Sequence, residues 1–138
     1  MKIAASDLMK KTAEGFHSLT WVLWIAKNTP NECTSKIIEE HDKRMNKIYS
    51  EIAGAQVVLS AYSKKIYEDT EPIVRHLYHF DGELGRTAYG LKTPSTQSAT
   101  IAQLGSMWKD IYTYSLNIPK KFADSMELAL PQIIDVSS

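Results

Sequence analysis

His76 and His79 stand three apart with Asp81 and Glu83 just beyond them, and on a helix that spacing sets imidazoles and carboxylates along neighbouring faces. The group superficially resembles a metal-ligand cluster. A carboxylate-bridged centre in a helical bundle, however, draws Glu or Glu-x-x-His ligands from several helices. Away from this stretch the chain offers Glu39, Glu40 and His41 without the required second Glu-x-x-His. His76 and His79 therefore read as surface or seam histidines, and neither metal nor cofactor is expected. Cys33 is a conceivable nucleophile, with His17 and His41 in neighbouring segments, but nothing fixes the three together and a lone cysteine is commonly structural. Glu68, Asp69 and Glu71 crowd one short stretch and read as a solvated charged turn rather than an acid–base pair. Gly82, Gly85 and Gly90 have no preceding strand and no Gly-Lys-Ser/Thr after them, as a phosphate loop requires. No catalytic residue is assigned, and the chain reads as a non-enzymatic protein.

Charge and aromatic groups give more to work with. Lys plus Arg and Asp plus Glu number 16 each, so the broad positive field of a nucleic-acid binder is missing and any anionic partner must meet a local patch. Basic residues cluster as Lys43, Arg44 and Lys47, as Lys64 and Lys65, and as Lys120 and Lys121. If helices pair antiparallel across the loop near residue 95, Lys64, Lys65 and Arg75 approach the level of Lys109, Lys120 and Lys121. Such a strip suits acidic headgroups, each cation contributing ~1 kcal/mol near a membrane surface. Trp21 and Trp24, three apart, share a helix face. The first reading of this pair is core; the alternative is an exposed anchor that enters a membrane interface or a partner groove.

The elements that must position these groups follow from hydrophobic periodicity. Apolar residues recur every seventh position at Ile38, Met45, Ile52, Leu59, Ile66, Ile73 and Phe80, with His41, Ile48, Ala55 and Tyr62 offset by three. A 3-4 alternation of this kind marks a long helix burying a narrow seam. Because the row keeps its phase past Pro72, the spacing predicts one long kinked helix over 35–91, capped by Thr34 or Ser35 and bent at the proline. Gly54, beside Ala53 and Ala55, marks a place for close helix approach. An N-terminal helix over 6–27 starts at a Ser6 cap and stops before Pro30. Residues 92–98 form a loop, and a second long helix over 99–131, carrying Ile101, Leu104, Trp108 and Ile111, is kinked near Pro119. With no period-2 segment anywhere, the expected fold is all-α, a single domain over 1–138 built as an elongated antiparallel helical bundle. The N-terminal helix should cover part of the long hairpin.

Apolar content of 43% and a length of 138 residues support one hydrophobic core without disulfide or metal help. A single cysteine, no secretory-type N-terminal pattern and no apolar run near the ~20 residues of a bilayer span point to a cytoplasmic protein, free or peripheral on membranes.

The heptad helix, the sequences Phe80-x-x-Glu83-Leu84-Gly85 and Tyr89-Gly90-Leu91, the short Thr/Ser loop and the run from Leu104 through Trp108 to Ile111 are similar to the first helical hairpin of a BAR domain of the sorting-nexin type, over roughly 35–134. The resemblance implies a dimer of bent bundles that binds curved, phosphoinositide-bearing membranes through basic residues. The expected function is a dimerisation module, pairing with a second copy or a helical partner and attached to anionic membranes through Lys64, Lys65, Arg75, Lys120 and Lys121. The competing expectation is a protein-binding adaptor or inhibitor anchored by Trp21 and Trp24.

Overall fold

A computed structural model describes residues 2–126. The last residues of the helix expected over 99–131 lie outside the described residues. Four helices account for most of the chain: α1 (Lys2–Asn28), α2 (Ser35–Tyr62), α3 (Lys64–Ala88) and α4 (Gln97–Leu116). A turn at Asn117 separates α4 from a helical continuation over 118–126, where a kink is expected near Pro119. Among the described residues there is no strand.

The long kinked helix over 35–91 is replaced by a hairpin. The chain leaves helical geometry at Ser63, with φ −156° and ψ 106°, and reverses there. Ser63 closes α2 by donating its backbone N–H to the Leu59 carbonyl at 2.9 Å, and it opens α3 by accepting the Ile66 N–H on its Oγ at 3.1 Å. One residue thus serves as C-cap and N-cap. The reversal sets Tyr49 of α2 against Tyr78 of α3, ring centroids 4.4 Å apart; one continuous helix would hold them ~43 Å apart. Pro72, expected at the bend, lies inside α3. The N-terminal helix also starts earlier than its expected Ser6 cap, at Lys2.

Packing gives an up-down-up-down bundle. Lys11 meets Glu51 and Ser18 meets His41, so α1 and α2 run antiparallel. Gly105 of α4 lies on Lys27 at one end while Tyr114 lies on Phe16 further along, so α1 and α4 also run antiparallel. Gly15 against Leu77 and Phe16 against Phe80 set α1 and α3 parallel, as diagonal partners. α1 therefore lies centrally, touching α2, α3 and α4, rather than covering part of a hairpin. It buries Leu8, Phe16, Leu19, Val22 and Leu23 to 1% exposure or less, each side chain contributing roughly 2 kcal/mol on leaving water. A side chain at Gly15 would run into Leu77 and one at Gly105 would press on the Lys27 backbone, so both glycines let a neighbouring helix come close. Gly54, expected to permit such an approach, has nothing within 4 Å of its missing side chain.

Candidate functional site

The five expected contact residues lie on the first half of α3 and on the chain after Pro119. Ser125 Oγ donates to the Asp69 carbonyl at 3.2 Å, which fixes the start of α3 beside the chain after Pro119. Three of the five face a carboxylate one turn away: Lys64 pairs with Glu68 at 3.7 Å, Lys65 with Asp69 at 3.0 Å, and Arg75 with Glu71. Exposed pairs of this kind stabilise a helix by only ~0.3–0.5 kcal/mol, and they offset the local positive field. Lys121 is turned inward, its ammonium 5.0 Å from the Tyr114 ring centroid, and Lys120 is exposed.

The tryptophans behave differently from their first reading. Trp21 and Trp24 are 49% and 37% exposed, so they are surface groups and not core. Their rings stack 5.3 Å apart at an interplanar angle of 6°. Across the α1–α4 boundary, Trp108 stacks on Tyr112 at 4.7 Å, and Lys27 Nζ lies 4.7 Å from the Trp108 ring. The two stacks, with His17 and Thr20, line a shallow groove of about 250 Å³. Side chains three and four residues apart on a helix meet, so each stack follows from spacing; their alignment depends on the α1–α4 register that Gly105 permits. The sequence reading identified Trp21 and Trp24 and missed Trp108 and Tyr112 as their companions, because Trp108 also belongs to the seam pattern of α4.

On the other side of Trp21 a larger open groove of about 870 Å³ runs between α1 and α2, lined by Lys10, Ala13, Glu14, His17, Ser18, Trp21, Arg44 and Ile48. Its floor opens onto a buried polar relay that the sequence reading did not assemble. His41, a member of the seam row offset by three, is fully buried. Its Nδ1 lies 2.8 Å from Ser18 Oγ and its Nε2 lies 2.7 Å from Asp81 Oδ1. The Tyr49 hydroxyl donates to the second Asp81 oxygen, and Arg44 Nε donates to Ser18 Oγ at 3.1 Å.

Asp81 accepts from His41 Nε2–H on one oxygen and from the Tyr49 hydroxyl on the other, while Ser18 Oγ accepts from Arg44 and lies against His41 Nδ1. Burial, reinforced by the Asp81 carboxylate, pushes the Tyr49 phenol well above its ordinary range. Ser18, His41 and Asp81 thereby stand in the order of an acyl-transfer triad. Ser18, however, lies in the interior of α1, where backbone N–H groups are spent on the helix and cannot face an oxyanion. The relay instead locks α1, α2 and α3 in register and holds Arg44 at the groove, since burying these groups is tolerable only when all are partnered.

The remaining candidates stay apart. His76 stacks on Tyr114 at 4.8 Å, and His79 pairs with Glu83 at 3.0 Å. Among the described residues no three potential metal ligands converge, and no helix is long and apolar enough to cross a membrane. Cys33 is buried beyond the end of α1, and burial pushes its thiol pKa up, which disfavours the reactive thiolate. No family model matches the chain, and neither a curated protein nor a solved structure matches it.

Proposed function

We propose that this chain is a helical recognition module that docks a partner protein on the aromatic face formed by Trp21, Trp24, Trp108 and Tyr112. The observation that carries this reading is the pair of ring stacks on α1 and α4, in which Trp21, Trp24 and Tyr112 are exposed and Trp108 is half-buried. Large aromatics dominate the energetics of protein interfaces, and rings already stacked on rigid helices lose little conformational freedom on docking. The central position of α1 supports that rigidity, since the opposite side of the same helix is held in the core. A partner presenting an apolar helix fits the shallow groove between the stacks, in the helix-in-groove mode. The basic residues make a weaker docking surface, because Lys64, Lys65 and Arg75 each have a neighbouring carboxylate.

Affinity capture from a cell extract tests this reading, using wild type, Trp21→Ala/Trp24→Ala and Lys64→Glu/Lys65→Glu as baits alongside sedimentation with anionic vesicles. The aromatic reading predicts proteins retained by wild type and the lysine variant and lost by the tryptophan variant, with no vesicle binding. Vesicle binding abolished by Lys64→Glu/Lys65→Glu would overturn it in favour of the membrane-attached dimer.

A further inference from the structure

The α1–α2 groove combines an apolar floor with an anchored cation, and its chemistry differs from that of the aromatic face. Ala13, Ile48 and the side of Trp21 supply the apolar surface. Arg44 and Lys10 stand over it, and among the described residues neither has a carboxylate within ion-pair distance. Glu14 adds one negative charge, partly answered by Lys11 at 3.7 Å. Counting Lys10, Glu14 and Arg44, the lining carries a single net positive charge.

Arginine is normally a mobile surface group, but here its Nε is tied to Ser18 Oγ at 3.1 Å. Ser18 is itself held by His41, and His41 by Asp81. Three helices therefore fix one guanidinium, leaving its terminal amino groups to meet an anion with little further ordering cost. From Lys10 to Trp21 the wall of α1 extends ~16 Å at 1.5 Å per residue, long enough for an extended apolar tail beside the charged end. The volume, about 870 Å³, lies within the range of small-ligand sites, which are mostly apolar with a few placed polar groups.

We infer that this groove binds a small monoanionic amphiphile, a carboxylate with an apolar tail, with the carboxylate on Arg44 and the tail along Ala13 and Ile48. A single net positive charge matches a monoanion, and Glu14 within the lining disfavours a second negative charge. The buried relay then acts as a positioning device for Arg44. The two grooves share His17 and Trp21, but Trp24 and Trp108 line only the other one, so Trp24 separates this inference from partner docking.

Calorimetric titration of the full chain with dodecanoate, dodecan-1-ol and acetate tests it. Dodecanoate is expected to saturate one site, with the neutral alcohol at least about tenfold weaker because it lacks the charged hydrogen bond, and acetate at least about tenfold weaker because it buries no tail. Arg44→Gln should weaken dodecanoate about tenfold or more, Arg44→Lys should fall between, and Trp24→Ala should leave binding unchanged. Arg44 is exposed, so both Arg44 variants should keep the helical circular dichroism of the parent. Absence of saturation up to about 1 mM, the weak end of specific affinity, would overturn the proposal. So would equal affinity for the alcohol, or unchanged binding by Arg44→Gln.

Discussion

His41 occupies a seam position in the heptad pattern, three residues after Ile38, and a histidine there has no apolar reason to be buried. Its burial becomes tolerable only through Ser18 and Asp81, which lie 23 and 40 residues away in sequence. No spacing rule links those three residues. The seam position was legible in the sequence; the partners were not, because they depend on the registers of α1 and α3 against α2. Tyr49 exposes the same network to measurement. Its phenol is pushed up by burial and by Asp81, with Tyr78 and Asp42 nearby adding to the effect. A tyrosine in the unfolded chain ionises near about pH 10, whereas Tyr49 stays protonated in the folded protein. The unfolded state thus binds fewer protons above that pH, so the stability Tyr49 contributes is present below about pH 10 and lost as pH rises further. Tyr49→Phe should cost about 1 kcal/mol at neutral pH through the lost hydrogen bond to Asp81. In denaturant titrations the gap to wild type should then narrow between pH 10 and 11, because the phenylalanine variant has no proton to lose at this site; a constant gap would contradict the assignment.

Helix existence was readable and helix boundaries were not. The apolar rows predict helices throughout, and the described residues form them. The seven-residue row from Leu59 to Ile66 continues in phase, which reads as one helix, yet the chain reverses between them. A turn of a single residue disturbs the count so little that the periodicity survives, and Ser63, which carries both caps, is an unremarkable serine in the sequence. Pro72, expected to mark the bend, lies inside α3, where its missing N–H leaves the Glu68 carbonyl without its usual donor but does not end the helix. The glycines divide by the same logic of context. A Cβ at Gly105 would stand 3.0 Å from Lys27 Cα, while one at Gly54 would meet nothing within 4 Å. Backbone cannot move aside as a flexible side chain can. Gly105→Ala should therefore destabilise the fold by about 1–2 kcal/mol, overpacking outweighing the gain in helix propensity, whereas Gly54→Ala should stabilise it by up to about 1 kcal/mol. Thermal unfolding of the two variants should shift in opposite directions; a Gly105→Ala protein as stable as its parent would contradict the close α1–α4 approach.

At the scale of the whole molecule, two grooves flank Trp21. One is built of stacked rings on α1 and α4, and the other is built around an arginine that three helices hold. The composition forecast a locally patched rather than globally charged surface, since its charges balance, and both grooves are local. The patch expected from sequence, the lysines at the start of α3, is answered by carboxylates one turn on, an i,i+4 relation already present in the sequence at Lys64–Glu68 and Lys65–Asp69. The aromatic face was half visible, because Trp21 and Trp24 share a helix face by spacing, while Trp108 and Tyr112 reach them only across a helix–helix boundary. A photo-reactive phenylalanine analogue at position 24 tests the central claim most directly, compared with the same analogue at position 64 and irradiated in a native cell extract. Docking on the aromatic face predicts a discrete protein adduct from position 24 that position 64 does not form and that Trp21→Ala abolishes. The same adducts from both positions, or an adduct from position 64 alone, would contradict it.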